Sequence, residues 1–402
     1  MNAVTPIDTA SSSAFAHDAP GVDGAGTRTT ALALAVALRD LAAEWDALAA
    51  DAAEPDIFAE RWFAEASRHL APPEARMMAV RRDGHLIALM PIVPATRYGR
   101  IPLRHSENWA HYHRFLGAPL LRHGEEVAAW TAILTALDAD RDAGALLHVS
   151  GLVEHGPAHR GLIAAAHALG RPCDTVHRIE RAMLATGLSP DDYYAATVRK
   201  KKRKELGRLR TRLMEQGAVE PRRLTPGESV QEWIDAFLAL ERAGWKGDAG
   251  SALACTPETA AFFRDVVLGA HRAGKRDKNR HDLDGAPIAM LVNLLAPPGA
   301  FSFKTAFDER LSRFSPGVLL QIDNLQLLAR GDIRWMDSCA VENHPMINSL
   351  WGERRAIVRV SVPLAGPVRR AQFAAVRSLE RAAATVRALR SPRPAPVVES
   401  DA

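Results

Sequence analysis

One stretch, Phe301 to Gln321, reads FSFKTAFDERLSRFSPGVLLQ and limits what this chain can become more than any other. Phe301-Ser302-Phe303-Lys304-Thr305 alternates aromatic and polar side chains, the pattern of a half-buried strand. Asp308 to Phe314 is charged and follows neither period, so it reads as a loop. Ser315-Pro316-Gly317 then opens an apolar run, Val318 to Leu328, with helical spacing. Ser315 stands where an N-cap belongs, Pro316 at the first helical position, and Gly317 leaves that end without a side chain. Helix starts carry unpaired N–H groups and partial positive charge, so they suit phosphates and carboxylates. A strand, a basic loop and a bare helix start predict an α/β fold with a cradle for a diphosphate. The plainer alternative is a well-capped helix start with no ligand.

With 402 residues, the chain has room for two or three domains at ~150 residues each. A composition of 47% hydrophobic and 24% charged residues is that of an ordinary globular protein able to bury a full core. The net charge of +4 permits an anionic ligand without requiring one. Cys173, Cys255 and Cys339 are far apart, odd in number and lack CxxC spacing. That argues against a disulfide framework or a zinc site and predicts a reducing compartment. No segment approaches ~18 uninterrupted apolar residues, so no membrane span is predicted. Residues 1–30, rich in Ala, Ser, Gly, Asp and Thr, lack the order of a secretory signal and read as a disordered arm. The predicted location is cytoplasmic.

Ala31 to Leu38 fits a buried strand or the front of a helix; Asp40 to Ala50 and Glu60 to Leu70 are helical. Ala75 to Val80, the turn Asp83-Gly84 and Leu86 to Val93 predict a hairpin. Arg97 to Leu116 reads as loop, followed by a helix, a strand, a helix and a strand ending at Leu184. Ser189-Pro190-Asp191-Asp192 starts a helix continuing through Val198 to Gln216. Two more helices precede a second hairpin about Asp284-Gly285, then the central strand and the Pro-Gly helix. Ile333 to Asp337 and Ile357 to Val360 are the last strands, and Val368 to Leu389 a final helix. The two halves repeat one order of elements. The predicted partition is a 1–30 arm, domains over 31–187 and 188–365, and a helix with a Pro-rich tail over 366–402.

LDGAPIAMLVNLL, FSFKTAFDERLSRFSPGVLLQ and DIRWMDSCAVENHPMINSLWGERR resemble the second half of the CelD-like acetyltransferases. These belong to the GNAT superfamily and are relatives of the Fem-type aminoacyl transferases. WDALAADAAEPDIFAERWF and KKKRKELGRLRTRLMEQG fit the same family, and the resemblance spans roughly residues 32 to 362. It implies two tandem GNAT-like domains, mixed sheets flanked by helices, with acetyl-CoA or another acyl-CoA as co-substrate at the second. Arg313, Ser315, Gly317, Val318 and Leu319 match the diphosphate loop by position, although the usual Arg/Gln-x-x-Gly-x-Gly/Ala signature is not intact. Pro316 also lacks an amide that would donate. The implied activity is acyl transfer to an amine or hydroxyl of a small molecule, sugar or cell-envelope precursor, as in polysaccharide biosynthesis. The alternatives are tRNA-dependent aminoacyl transfer and a non-catalytic module.

Acyl transfer needs a base and donors for the tetrahedral oxyanion. His344, Glu342 and Asp337 are the candidates for proton transfer, and backbone donors near Ala306 for the oxyanion. Lys304 at the strand end is a cation for the phosphate or for the acceptor's carboxylate. Trp109, His111, His113, Trp245, Lys246 and Asp308 are the candidates for holding the acceptor. The i, i+2 pair His111 and His113 suits a metal, but no ligand set completes it, so no metal is predicted. Arg199 to Arg212 is a basic helix, read as a solvated face or as a contact for an anionic ligand or membrane surface. Few aromatics lie near it, which argues against nucleic acid.

Overall fold

The computed structural model describes residues 21–23, 26–224 and 227–390, and they form one mixed, 14-stranded sheet with helices on its faces. Both Asp-Gly turns behave as the sequence predicts. Asp83 and Gly84 (φ 50° and 82°) and Asp284 and Gly285 (φ 49° and 80°) are left-handed, as a two-residue hairpin demands. They join Arg76–Arg82 to His85–Tyr98, and Arg276–Leu283 to Ala286–Ala296. Each hairpin is extended by a further strand, Ile101–Asn108 in the first half and Gly299–Phe307 in the second. Each of those is followed by a helical crossover to a parallel neighbour, Leu146–Val153 or Trp335–Asp337.

The halves then exchange their last strands. Asp174–Ala185, from the first half, pairs with Trp335–Asp337 of the second. Glu353–Pro363, from the second half, pairs with Leu146–Val153 of the first, and the exchanged strands pair with each other. The sheet is therefore continuous across the expected boundary at residue 187. Phe58 and Phe63 of the first half pack edge-on against Phe301 and Phe262 of the second, with ring centroids 5.1 and 5.7 Å apart. Each such buried phenylalanine contributes about 1.5–3 kcal/mol.

Several local expectations are corrected. Arg97 to Leu116 is not a loop throughout, because Ile101–Asn108 alternates and pairs as a strand. Thr27–Ala33, partly inside the expected arm, is also a strand, while residues 1–20 lie outside the described residues. The helix begun by Ser189 ends at Thr197, since Val198 is buried in extended conformation; the basic helix is a separate element, Lys200–Met214. The helix after Pro316 stops at Asp323 and tightens into a 3-10 turn, Asn324–Ala329. No helix among the described residues is long and apolar enough to cross a membrane.

Where the exchanged strands meet, the Asp337 carboxylate is fully buried between two guanidiniums, Arg355 at 3.0 Å and Arg181 at 3.5 Å. Each of the three lies on a different strand. Removing one partner of such a cluster leaves uncompensated buried charge. Asp337→Ala is therefore predicted to lower unfolding free energy by about 3–5 kcal/mol, read by denaturant titration. A loss below about 1 kcal/mol would show the cluster to be dispensable.

Candidate functional site

The parallel pairing of Gly299–Phe301 with Trp335–Asp337 ends abruptly. The cause is local: Asp337 Oδ1 accepts the Cys339 N–H at 2.8 Å, and Cys339 is left-handed at φ 53°. The chain turns away, so Ser302 to Phe307 has a strand partner on one side only, Ala286–Ala296. This leaves a gap in the strand pairing beside Lys304 and Thr305.

Side chains distant in sequence converge on this gap. Lys304 Nζ donates to His113 Nδ1 at 3.0 Å and lies over the Phe115, Phe303 and Tyr112 rings at 5.2, 5.3 and 5.8 Å. Burial, with Lys246 adding repulsion, brings the Lys304 amine down to about 8. His113 is buried and stacked on Phe262 at 5.3 Å. His111 reaches Ser67 Oγ at 3.1 Å and stacks on Phe63 at 6.1 Å. Burial holds both imidazoles near 3, so they are neutral at pH 7. With Nδ1 accepting from Lys304, the His113 proton belongs on Nε2. Lys246 pairs with Glu241 at 2.8 Å and donates to the Thr305 carbonyl at 3.4 Å. That carbonyl therefore faces the open side of the strand.

Glu241 is a residue the sequence reading missed, although its signal was present. It sits on the apolar face of the helix Val230–Arg242, in register with Ile234, Phe237 and Leu238. There it also accepts the Leu253 N–H at 2.8 Å. Lys246 O accepts from the Ser251 and Ala252 N–H groups, which ties down the turn after Trp245.

The remaining predicted residues are placed as follows. Trp109 is buried 5.4 Å from the His111 ring. Trp245 is exposed, and its N–H donates to Glu309 at 2.9 Å. Asp308 pairs with Arg310 at 2.6 Å, which holds its carboxyl below the usual range. Asp337 belongs to the buried ion cluster. Glu342 is exposed and accepts the Glu180 N–H at 3.0 Å. His344 is half-buried and caps Pro345–Asn348 through a 3.5 Å contact to Ile347 N–H; burial lowers its pKa, with Lys246 contributing.

The helix start differs from expectation. Ser315 is left-handed at φ 53° and makes no side-chain cap, so its carbonyl closes the end instead. Both Val318 and Leu319 N–H groups donate to that carbonyl, at 3.0 and 3.1 Å. The Gly317 N–H has no backbone acceptor among the described residues. Gly317 is buried against Phe307, whose ring a Cβ would meet at 3.0 Å. Arg313 is exposed with its guanidinium 4.7 Å from the Phe314 ring centre, and Ala306 is buried opposite Met290.

The equivalent gap in the first half is sealed. Pairing of Ile101–Asn108 with Leu146–Val153 also stops after two residue pairs. There Asn108 replaces the missing ladder, accepting from Ser150 N–H at 2.8 Å and donating to Ser150 O at 2.9 Å. Gly117 wedges in so closely that a Cβ would lie 2.1 Å from Ser150 O. At the matching helix start, the Glu126 carboxylate takes the Gly124 N–H at 3.1 Å. What the first half brings to Lys304 is the segment bearing His111, His113 and Phe115.

Among the described residues, no group of three or more His, Cys, Asp or Glu is placed to hold a metal. Residues 200–344 match the family described as an acetyltransferase (GNAT) domain. Among curated proteins there is no sequence match. The crystal structure of FemX is similar over 82% of this chain and 97% of its own, at 11% identity and a TM-score of 0.54. A conserved protein of unknown function from Bacteroides thetaiotaomicron covers 80% and 97%, at 10% identity and TM-score 0.51. The C-terminal domain of a putative lysylphosphatidylglycerol synthetase from Agrobacterium fabrum covers 84% and 95%, at 12% identity and TM-score 0.50. The fold is that of GNAT-type acyltransferases.

If Lys304 is enclosed as described, it titrates apart from the surface lysines. Trace labelling of amines with acetic anhydride across pH, read by mass spectrometry, is expected to give it an apparent pKa near 8. A value at or above 10 would contradict the enclosure.

Proposed function

We propose that the gap beside Lys304 is the acyl-transfer site of an enzyme moving an acyl group, acetyl first, from a CoA thioester to an amine or hydroxyl. The observation that carries this reading is the enclosed Lys304 ammonium: one hydrogen goes to His113, and its other donors have no side-chain acceptor among the described contacts. A buried cation with open donors, beside a strand edge lacking its partner, is suited to a carbonyl oxygen gaining charge. The thioester carbonyl oxygen would lie against Lys304. The acceptor would attack the carbonyl carbon, the carbon–sulfur bond would break, and the thiolate would leave to be protonated. His344 would take the acceptor's proton, since its 3.5 Å cap is weak enough to release. The donor's diphosphate would lie at the Gly317 N–H with Arg313 beside it.

The acceptor is a sugar or cell-envelope precursor in this reading, which draws on the CelD-like resemblance. The exposed aromatics Tyr112 and Trp245, on segments flanking the gap, support a ring-bearing acceptor. Aminoacyl transfer from a charged tRNA is the second reading. It is favoured by exposed Lys200, Lys201, Lys204, Arg208 and Arg212 on the helix packed beside residues 309–314.

Calorimetry with acetyl-CoA, with mass spectrometry for a copurifying thioester, tests the first reading. Saturable binding is expected, and Lys304→Ala should lower turnover by about 10²–10³-fold with donor affinity little changed. In wild type, turnover should fall as pH rises through about 8, because the protonated amine is the active form. No binding of acetyl-CoA at high concentration, with tight salt-sensitive tRNA binding, would replace this reading with the second.

A further inference from the structure

We infer that Arg114 is the positioning residue of the site: its guanidinium pins the first-half segment that presents His113 to Lys304. This rests on the reading of the gap as the transfer site, but the geometry stands by itself. Arg114 donates from Nε to Leu116 O at 3.0 Å, from Nη1 to Trp109 O at 3.1 Å, and from Nη2 to Ala118 O at 3.2 Å. One rigid planar fork thereby gathers three carbonyls from both ends of the segment that carries His111, His113 and Phe115. The segment's other ties are single contacts, among them Trp109 N–H to Pro91 O, Arg114 N–H to His111 O, Gly117 N–H to Gly151 O, Asn108 Nδ2 to Gly117 O at 2.8 Å and Arg181 Nη2 to Phe115 O at 2.6 Å, whereas Arg114 takes three carbonyls from both ends. A lysine there, with one point of charge, would not hold three carbonyls in one plane.

The Arg114 charge is answered from within the first half. Asp56 is buried, accepts the Phe58 N–H at 2.8 Å through Oδ1, and leaves Oδ2 without a hydrogen-bond partner. Burial pushes the Asp56 carboxyl up to about 6, with Arg114 as the leading opposing influence, and Asp56 in turn supports the charge on Arg114. Beside the guanidinium lies an apolar cavity of about 20 Å³, lined by Trp45, Phe58 and Trp109 among others. Shortening Arg114 would enlarge this space, so the segment can relax into it rather than unfold. His113 would then leave Lys304, and water would reach the amine. The groups facing Lys304 are His113, His111 and Tyr112 from the segment, Glu241 and Lys246 from the helical layer, and Cys339 beyond the gap. Only those of the segment depend on Arg114.

The test uses the full chain and Arg114→Met, Arg114→Lys and Asp56→Asn. Trace acetic anhydride labelling reads the Lys304 amine in each, without donor or acceptor. In Arg114→Met the apparent pKa is expected to rise from about 8 toward 10.5. Hydrogen exchange should speed up over residues 109–118. Arg114→Lys should restore part of both, and Asp56→Asn should shift them in the same direction as Arg114→Met, less far. If Arg114→Met does not fold, Asp56→Asn, which keeps the cap on Phe58, carries the test. Where turnover is measurable, it should fall at least tenfold in Arg114→Met, with the donor dissociation constant unchanged. A folded variant with the wild-type Lys304 pKa and wild-type exchange over 109–118 would overturn the inference. A shifted pKa in a protein that transfers no acyl group would leave the positioning role standing and refute the transferase reading.

Discussion

A single buried carboxylate, Asp337, sets both the continuity of the sheet and the opening in it. One oxygen and its neighbour face Arg181 and Arg355 on the two exchanged strands, which fixes three strands to one another. The same side chain draws Cys339 N–H back upon itself and turns the chain out of the ladder. Burying an ionised group is costly unless it is paired and hydrogen-bonded, and here both conditions hold. The gap beside Lys304 follows from that turn, since a strand without its partner exposes backbone groups and leaves room for side chains.

The halves share an order of elements but have taken opposite courses at this point. In the first, Asn108 imitates the missing ladder and Glu126 takes a backbone N–H at the helix start. In the second, no side chain among the described residues bridges the two strands as Asn108 does; Lys246 takes only the Thr305 carbonyl, and an amine is enclosed by rings and an imidazole. The first half's segment reaches across to the second, where His113 meets Lys304. Strand exchange and the Phe58–Phe301 and Phe63–Phe262 contacts keep that reach constant.

What the sequence disclosed was local. Asp-Gly turns declare themselves because two left-handed residues are needed at fixed positions, and the alternation at Phe301 to Thr305 is the strand it suggests. The strand exchange was hidden, because pairing partners lie far apart in the chain and carry no pattern that names them. The histidine patch was conspicuous, but its partner Lys304 lies 191 residues away. Ser315 misled for a specific reason: residue type favours an N-cap, yet the left-handed backbone turns its carbonyl onto Val318 and Leu319. The Ser315 N–H itself donates to Ser312 O at 2.9 Å, so of the Ser315, Gly317, Val318 and Leu319 amides only that of Gly317 lacks a backbone acceptor among the described residues.

The composite site is tested most directly by hydrogen exchange on the intact protein with and without saturating acetyl-CoA. Slower exchange is predicted together in residues 302–307, in 339–344 and in 109–116, although the last belongs to the other half. Protection confined to the second half, or centred on the sealed gap near Asn108, would contradict the account.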